Sequence, residues 1–250
     1  MVKSGSDDYD HFPAPQSSGV IVREIFRQEM QQLGDDLLKQ GRETARSMER
    51  AAESLKDANI ALAEQVIDAD KRIDALERNL DEMGISLLAR QAPVAADLRT
   101  VVSVLRISST LERMGDLARH VAYVARGRYP ERVNSGPVYD LLISMAEHAA
   151  VVGQRVAELL DSHDLSLAET IEEEDNILDE LHHKSFDLIL DDSLNLSRQE
   201  VVDTVLLARY MERYGDHGVS IARRITFLVT GVLAERNESI RELQDSADDR

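Results

Sequence analysis

The 250-residue sequence contains no cysteine and no tryptophan, and aromatic residues make up only 4% of it. The absence of cysteine excludes disulfides, thiolate metal sites and cysteine nucleophiles. Glycine and proline number only 12 and 5, and the chain lacks the β-branched and aromatic runs and the frequent turn signals of sheet proteins. These absences predict an all-α protein.

Long hydrophobic runs and a positive net charge are also missing. No apolar run approaches the ~20 residues that a membrane-spanning helix needs, and no basic segment followed by an apolar one opens the chain. The formal net charge is −18, from 47 acidic and 29 basic residues, so the molecule should repel nucleic acid and anionic lipid surfaces. We therefore expect a cytoplasmic protein without membrane insertion or nucleic-acid partners, which binds cations or basic protein surfaces.

Apolar residues recur at intervals of three and four along most of the chain, which is the period of an amphipathic helix. The pattern predicts six long helices, at about 21–56, 57–90, 94–128, 138–160, 166–190 and 197–229. Turn-forming residues concentrate between the third and fourth of these helices. The expected organisation is a disordered extension (1–20), a first three-helix bundle (21–130), a second three-helix bundle (138–231) and a polar tail (232–250).

One hexapeptide occurs twice, a hundred residues apart. The first copy, Leu-Glu-Arg-Met-Gly-Asp, covers 111–116, and the second, Met-Glu-Arg-Tyr-Gly-Asp, covers 211–216. A glycine inside a helix costs about 1 kcal/mol relative to alanine. Its repetition at Gly115 and Gly215 indicates that another group approaches the backbone closely at both places.

Each copy also carries two carboxylates four residues apart, which lie one turn from each other on one helix face. The preceding helix of each half holds a similar pair, so four helices have one each. The candidate metal ligands are Asp70, Asp74, Glu112 and Asp116 in the first half and Asp175, Asp179, Glu212 and Asp216 in the second. Like charges at this spacing destabilise a helix unless neutralised. Their oxygen ligands suit Mg²⁺, Ca²⁺, Mn²⁺ or iron.

Plainer interpretations of these residues remain open. In a chain with 30% charged residues, a single carboxylate pair arises often by chance and simply faces water. His120 and His217 lie close enough to the doubled motif to add nitrogen ligands, although lone surface histidines are more often unliganded. Glu180 and His183 have the Glu-x-x-His spacing of di-iron bundles, which need two such motifs. The alternatives are a ferritin-like metalloprotein and a helical adaptor without metal.

The doubled motif, the carboxylate pairs before it and the segment 91–99 (Gln-Ala-Pro-Val-Ala-Ala-Asp-Leu-Arg) together resemble the PhoU family of regulators of bacterial phosphate uptake. The resemblance covers roughly 21–231. It implies two tandem, similar three-helix bundles that hold metal at the eight carboxylates named above. The metal is left open among iron, Mn, Mg, Ca and Zn.

The resemblance also implies a function. PhoU-like proteins are not enzymes; they link the phosphate ABC transporter to a sensor histidine kinase, repress the starvation response when phosphate is plentiful and are often homodimers. Such a protein would lie in the cytoplasm, peripheral to the inner face of the membrane through its partners. The sequence departs from the family just after the motif, where 118–123 and 218–223 lack the family's asparagine and glutamate.

Overall fold

The computed structural model describes residues 17–232. Six long helices make up almost all of this part of the chain. They are α1 (Ser17–Asp57), α2 (Ile60–Gln91), α3 (Ala95–Arg128), α4 (Gly136–Ser162), α5 (Ser166–Ile189) and α6 (Arg198–Thr230). The all-α fold predicted from the sequence is confirmed, and 17–232 contain no strand. None of the helices in this range is apolar enough over sufficient length to cross a bilayer.

The helix boundaries agree with the predicted ones to within a few residues. At α6 the predicted capping box is present, because Ser197 and Glu200 each accept a hydrogen bond from the other's backbone amide. Two predictions were wrong in detail. α1 begins at Ser17, before the predicted start of the first helix at 21, and Asn59 caps α2 in place of Asp57, which still belongs to α1.

Some of the chain that the sequence analysis addressed lies outside the described residues. These segments are the remainder of the extension, 1–16, and the polar tail from 233 onward. A short 3-10 helix at Asp192–Leu194, between α5 and α6, was not predicted because its three residues are too few to show a period.

The apolar stripe predicted along the third helix forms the centre of the core. All seven of its residues are buried: Val104, Ile107, Leu111, Met114, Ala118, Val121 and Ala125. The corresponding stripe of α6, which includes Leu207, Met211 and Ile221, is buried too. α1 packs against α2, α3 and α4, and the buried residues of both halves belong to one hydrophobic cluster. The two repeats therefore share a core.

α3 and α6 run antiparallel along the contact between the two halves. The His120 ring lies 5.0 Å from the Tyr210 ring, centroid to centroid. Near the end of α3, Arg128 Nε lies 2.6 Å from Oδ2 of the buried Asp203. As the residue number rises along α3, the number of the neighbouring residue on α6 falls. This antiparallel order places Gly115 and Gly215 near the middle of the contact.

The close approach predicted at the two glycines is made by the preceding helix of each half. A methyl group at Gly115 would lie 3.0 Å from Ile73 Cδ1 on α2. A methyl group at Gly215 would overlap the Asp175 carboxylate and lie 2.9 Å from Leu178 Cδ1 on α5. These distances are below ordinary van der Waals contact, so the glycines allow α2 and α5 to pack closely against α3 and α6.

Tyr214 provides a test of this core. Its side chain is fully buried, its hydroxyl has no hydrogen-bond partner among the described residues, and burial raises its pKa. A buried hydroxyl without a partner costs about 1–3 kcal/mol. Tyr214→Phe should therefore raise the free energy of unfolding, by about 1 kcal/mol once the lost atom's packing is subtracted, as measured by urea denaturation. Tyr210→Phe, at a partly exposed tyrosine of the same helix, is the control. A less stable Tyr214→Phe protein would contradict the inference.

Candidate metal centre

The fold brings the predicted carboxylates together in two clusters, one in each half. The first lies between α2, which carries Asp70 and Asp74, and α3, which carries Glu112 and Asp116. Asp70 is buried, with 7% of its surface exposed. Its pKa is raised to about 6, first by burial and then by the charges of Asp74 and Asp116, while Arg119 acts in the opposite direction.

An arginine already neutralises part of this first cluster. Arg119 Nε lies 3.0 Å from Asp70 Oδ2, across the gap between α2 and α3. Its Nη2 donates a hydrogen bond to Asp116 Oδ1. The guanidinium thus pairs with one carboxylate from each helix, where a bound cation would otherwise lie. A metal at this cluster would have to displace Arg119 first.

The second cluster lies between α5 and α6, and within residues 17–232 no arginine joins its carboxylates across the two helices. Position 219, a hundred residues after Arg119, is Val219. Among the described residues, Arg209 pairs only with Glu212 of its own helix, with 2.6 Å from Nη1 to Oε2. The Asp175 Oδ1 atom, like the Asp70 Oδ1 atom of the first cluster, is buried and has no hydrogen-bond partner among the described residues, but no arginine of a neighbouring helix pairs with the Asp175 carboxylate there. Asp175 is therefore the carboxylate of this cluster that most requires a cation.

The pKa shifts in the second cluster also indicate that Asp175 requires a cation. The pKa of Asp175 is raised to about 6, first by burial and then by the charges of Asp179, Asp216 and Glu212, with only Arg223 opposing. The pKa of Glu212 is raised by burial and by Asp216 and Asp179, although Arg209 lowers it. Four carboxylates with this much mutual repulsion form a hard-oxygen donor set suited to a divalent or trivalent cation.

The side chains of neither cluster are preassembled around a cation. Within residues 17–232, no three carboxylate or imidazole side chains have the arrangement of a ready metal site. Cation binding would therefore require rotation of the carboxylates. At the first cluster this rotation breaks the contacts of Arg119 with Asp70 and Asp116. At the second cluster, within residues 17–232, the four carboxylates form no ion pair between helices that the rotation would break. The donor set of the second cluster is thus the better fit to a metal.

The histidines considered from the sequence lie elsewhere. His120 packs against Tyr210 in the contact between α3 and α6. The pKa of His217 is lowered by burial and by the positive charges of Arg213 and Arg113, while the charge of Asp216 acts in the opposite direction. Neither arrangement favours a bound cation. Glu180 and His183 line a wide surface depression together with Asp179, and the His183 Nδ1 atom lies 2.8 Å from the Asp179 carbonyl oxygen.

Sequence reasoning missed the importance of Arg119. The signal was present, because Arg119 lies three residues after Asp116 and one helical turn brings the two side chains together. Its replacement by Val219 in the second repeat was also visible. The contact with Asp70, 49 residues away in sequence, was not, because it depends on how α2 and α3 are aligned.

Comparison with known proteins agrees with the repeat. The PhoU domain family model matches residues 37–125 and again 142–225. The phosphate-specific transport system accessory protein PhoU homolog 2 of Mycobacterium tuberculosis is 37% identical over 210 residues, which are 84% of this chain and 99% of that protein. PhoU homolog 1 of Mycobacterium leprae is 36% identical, over 86% of this chain and 96% of that one. The crystal structure of PhoU from Pseudomonas aeruginosa superposes with a TM-score of 0.73 at 28% identity, covering 83% of this chain and all of that one.

Proposed function

Because the chain belongs to the PhoU family, we propose that it is a non-enzymatic accessory protein of phosphate transport, which represses the phosphate-starvation response when phosphate is plentiful. The observation that carries this proposal is the full-length match to relatives named as phosphate-specific transport system accessory proteins. In this role the protein binds other proteins: the ATPase of a phosphate ABC transporter and a sensor histidine kinase. It acts in the cytoplasm and reaches the inner face of the membrane through these partners.

The repeated helical architecture suits such a role. The described helices build one continuous core, and they expose long, charged faces on both repeats. Rigid surfaces of this kind bind partners with little loss of conformational freedom. We also propose a homodimer, which the family resemblance supports and light scattering of the purified protein would test.

The partner proposal predicts a direct result. The full chain, immobilised, should retain the purified transporter ATPase and the cytoplasmic part of the kinase from the same organism. Because both contacts are expected to include charged rim residues, retention should weaken as salt is raised. An unrelated ABC transporter ATPase is the control. Failure to retain either partner, with metal added or with chelator present, would contradict the proposal.

We further propose that metal binds mainly at the second-half cluster, through Asp175, Asp179, Glu212 and Asp216. The support is the valine that replaces the bridging arginine, so that the buried Asp175 carboxylate has no guanidinium partner of the kind that Asp70 has among the described residues. When bound, the cation would neutralise the repulsion between α5 and α6. The first-half set, Asp70, Asp74, Glu112 and Asp116, would bind more weakly because Arg119 competes.

The ferritin-like alternative makes a different prediction. A di-iron bundle would need a second Glu-x-x-His to complement Glu180 and His183. Oxygen consumption by the iron-loaded protein would favour that alternative, whereas a regulator would hold its metal without consuming oxygen.

A further inference from the structure

A small crevice opens between the two repeats, and none of the eight candidate metal ligands lines it. It is lined by three residues of α3 and three of α6: Arg106, Ile107, Thr110, Ser220, Ile221 and Arg224. Its volume is about 80 Å³. A water molecule takes about 30 Å³ in the liquid, so the crevice has room for a polyatomic ion.

The chemistry of the lining is cationic with hydroxyl groups. Arg106 and Arg224 line the crevice from opposite helices, and no carboxylate is among its lining residues. Within residues 17–232, neither arginine forms an ion pair with a carboxylate, and neither guanidinium makes a side-chain hydrogen bond. The crevice therefore brings together two arginines that have no counter-charge among these residues.

The proximity of the two arginines has an electrostatic cost. The pKa of Arg224 is lowered, first by burial and then by the positive charge of Arg106. Like charges repel, and the partial burial of Arg224 weakens the screening of this repulsion by solvent, whereas Arg106 is exposed. An anion between the guanidinium groups would remove this repulsion. Below the crevice, the apolar side chains of Ile107 and Ile221 are buried and give it a rigid floor.

The hydroxyl groups complete a set of donors. Thr110 Oγ1 donates to the Arg106 carbonyl oxygen at 2.9 Å, and Ser220 Oγ donates to the Asp216 carbonyl oxygen at 3.0 Å. Each hydroxyl can rotate to donate to an ion in the crevice. Two planar guanidinium forks and two hydroxyls match the four oxygens of a tetrahedral oxyanion, since arginine binds such groups with paired hydrogen bonds.

We propose that this crevice is a binding site for a free tetrahedral oxyanion, with inorganic phosphate as its probe, held by Arg106 and Arg224 and by the hydroxyls of Thr110 and Ser220. Because one arginine belongs to each repeat, the bound ion bridges the repeats and stabilises the contact between α3 and α6. The positions that the hundred-residue offset relates to Arg106 and Arg224 are Leu206 and Val124, so the repeat creates no second crevice of this composition within residues 17–232.

The test uses the full chain, freed of metal with chelator so that phosphate cannot bind through a cation. Calorimetric titration with phosphate at constant ionic strength should show one site per chain. The melting temperature should rise with phosphate concentration, because a ligand that binds only the folded state stabilises it. Sulfate, another tetrahedral oxyanion, should bind as well, whereas chloride at equal ionic strength should not raise the melting temperature.

The variants locate the site. Arg106→Gln and Arg224→Gln should each raise the phosphate Kd by about tenfold or more, the loss expected for a charge-assisted pair. Arg78→Gln, at an exposed arginine of α2, removes the same charge and should leave the Kd unchanged. Without phosphate, Arg106→Gln should melt at or above the wild-type temperature because the repulsion is relieved, which also shows that it folds.

Three results would overturn the proposal. One is the absence of phosphate binding by the metal-free wild type. Another is wild-type affinity in the Arg106→Gln/Arg224→Gln double variant, and the last is an equal loss of affinity in Arg78→Gln, which would indicate a general effect of charge. Partner binding is measured separately, so a failure here leaves the accessory function intact.

Discussion

Replacing Val219 with arginine is expected to lower the metal content of the protein, because changing a group that acts on metal ligands typically costs about 10-fold or more in metal affinity. Val219 stands where Arg119 bridges the first cluster. A guanidinium at 219 would reach the Asp175 and Asp216 carboxylates in the same way and occupy the cation's place. Elemental analysis of protein purified without chelator gives the metal content of wild type and variant.

Val219 is buried, so the arginine variant needs controls for folding. Val219→Met changes the size of the side chain without adding charge and should retain the metal. The isosteric pair Asp175→Asn and Asp216→Asn should remove the metal while the core remains packed, as judged by circular dichroism and urea unfolding. If the metal content of Val219→Arg and of the double asparagine variant equals that of wild type, the second-half ligand assignment is wrong.

The reverse substitution, Arg119→Val, should have two opposite effects on the first cluster. In chelator, the free energy of unfolding should fall by about 2 kcal/mol. Removing one partner of a buried ion pair costs about 3–5 kcal/mol, and we reduce this value because Arg119 and Asp116 are partly exposed. With metal added, the stability should recover and the metal content should rise, since the valine leaves the Asp70 carboxylate without a counter-charge.

A matched set of variants separates charge from ligand chemistry. Arg119→Lys keeps a positive charge near Asp70 and should lose less stability than Arg119→Val. The double variant Arg119→Val/Asp70→Asn removes both charges and should regain stability in chelator but gain no metal. An Arg119→Val protein that is as stable as wild type, or that binds no additional metal, would show that the arginine does not substitute for a cation.

Much of the fold could be predicted because helix formation is largely local. The stripe from Val104 to Ala125 is visible at spacings of three and four, and its residues are buried as predicted. The capping box at Ser197 was equally visible, because it involves only four consecutive residues. The start of α2 was predicted less accurately. Asp57 and Asn59 are both good N-cap residues, and only the turn at Ala58, with its positive φ of 49°, selects Asn59.

The carboxylates of the candidate site could be predicted from the sequence, but the difference between the two clusters could not. The eight carboxylates could be chosen from the repeat alone, and the fold does gather them between α2 and α3 and between α5 and α6. The difference between the two clusters depends on Arg119, whose contact with Asp70 joins separate helices. A pattern read along one helix contains no information about which side chain of a neighbouring helix lies opposite.

The sequence by itself determined six helices, a hundred-residue repeat and the carboxylate pairs, because these features arise from the spacing of residues within single helices. Only the tertiary structure decided which cluster lacks a bridging cation and that Arg106 and Arg224, 118 positions apart, line one crevice. Both depend on the lateral packing of the helices, which the whole core sets through close contacts such as those at Gly115 and Gly215. The two repeats therefore share a motif and a fold but differ in their charges.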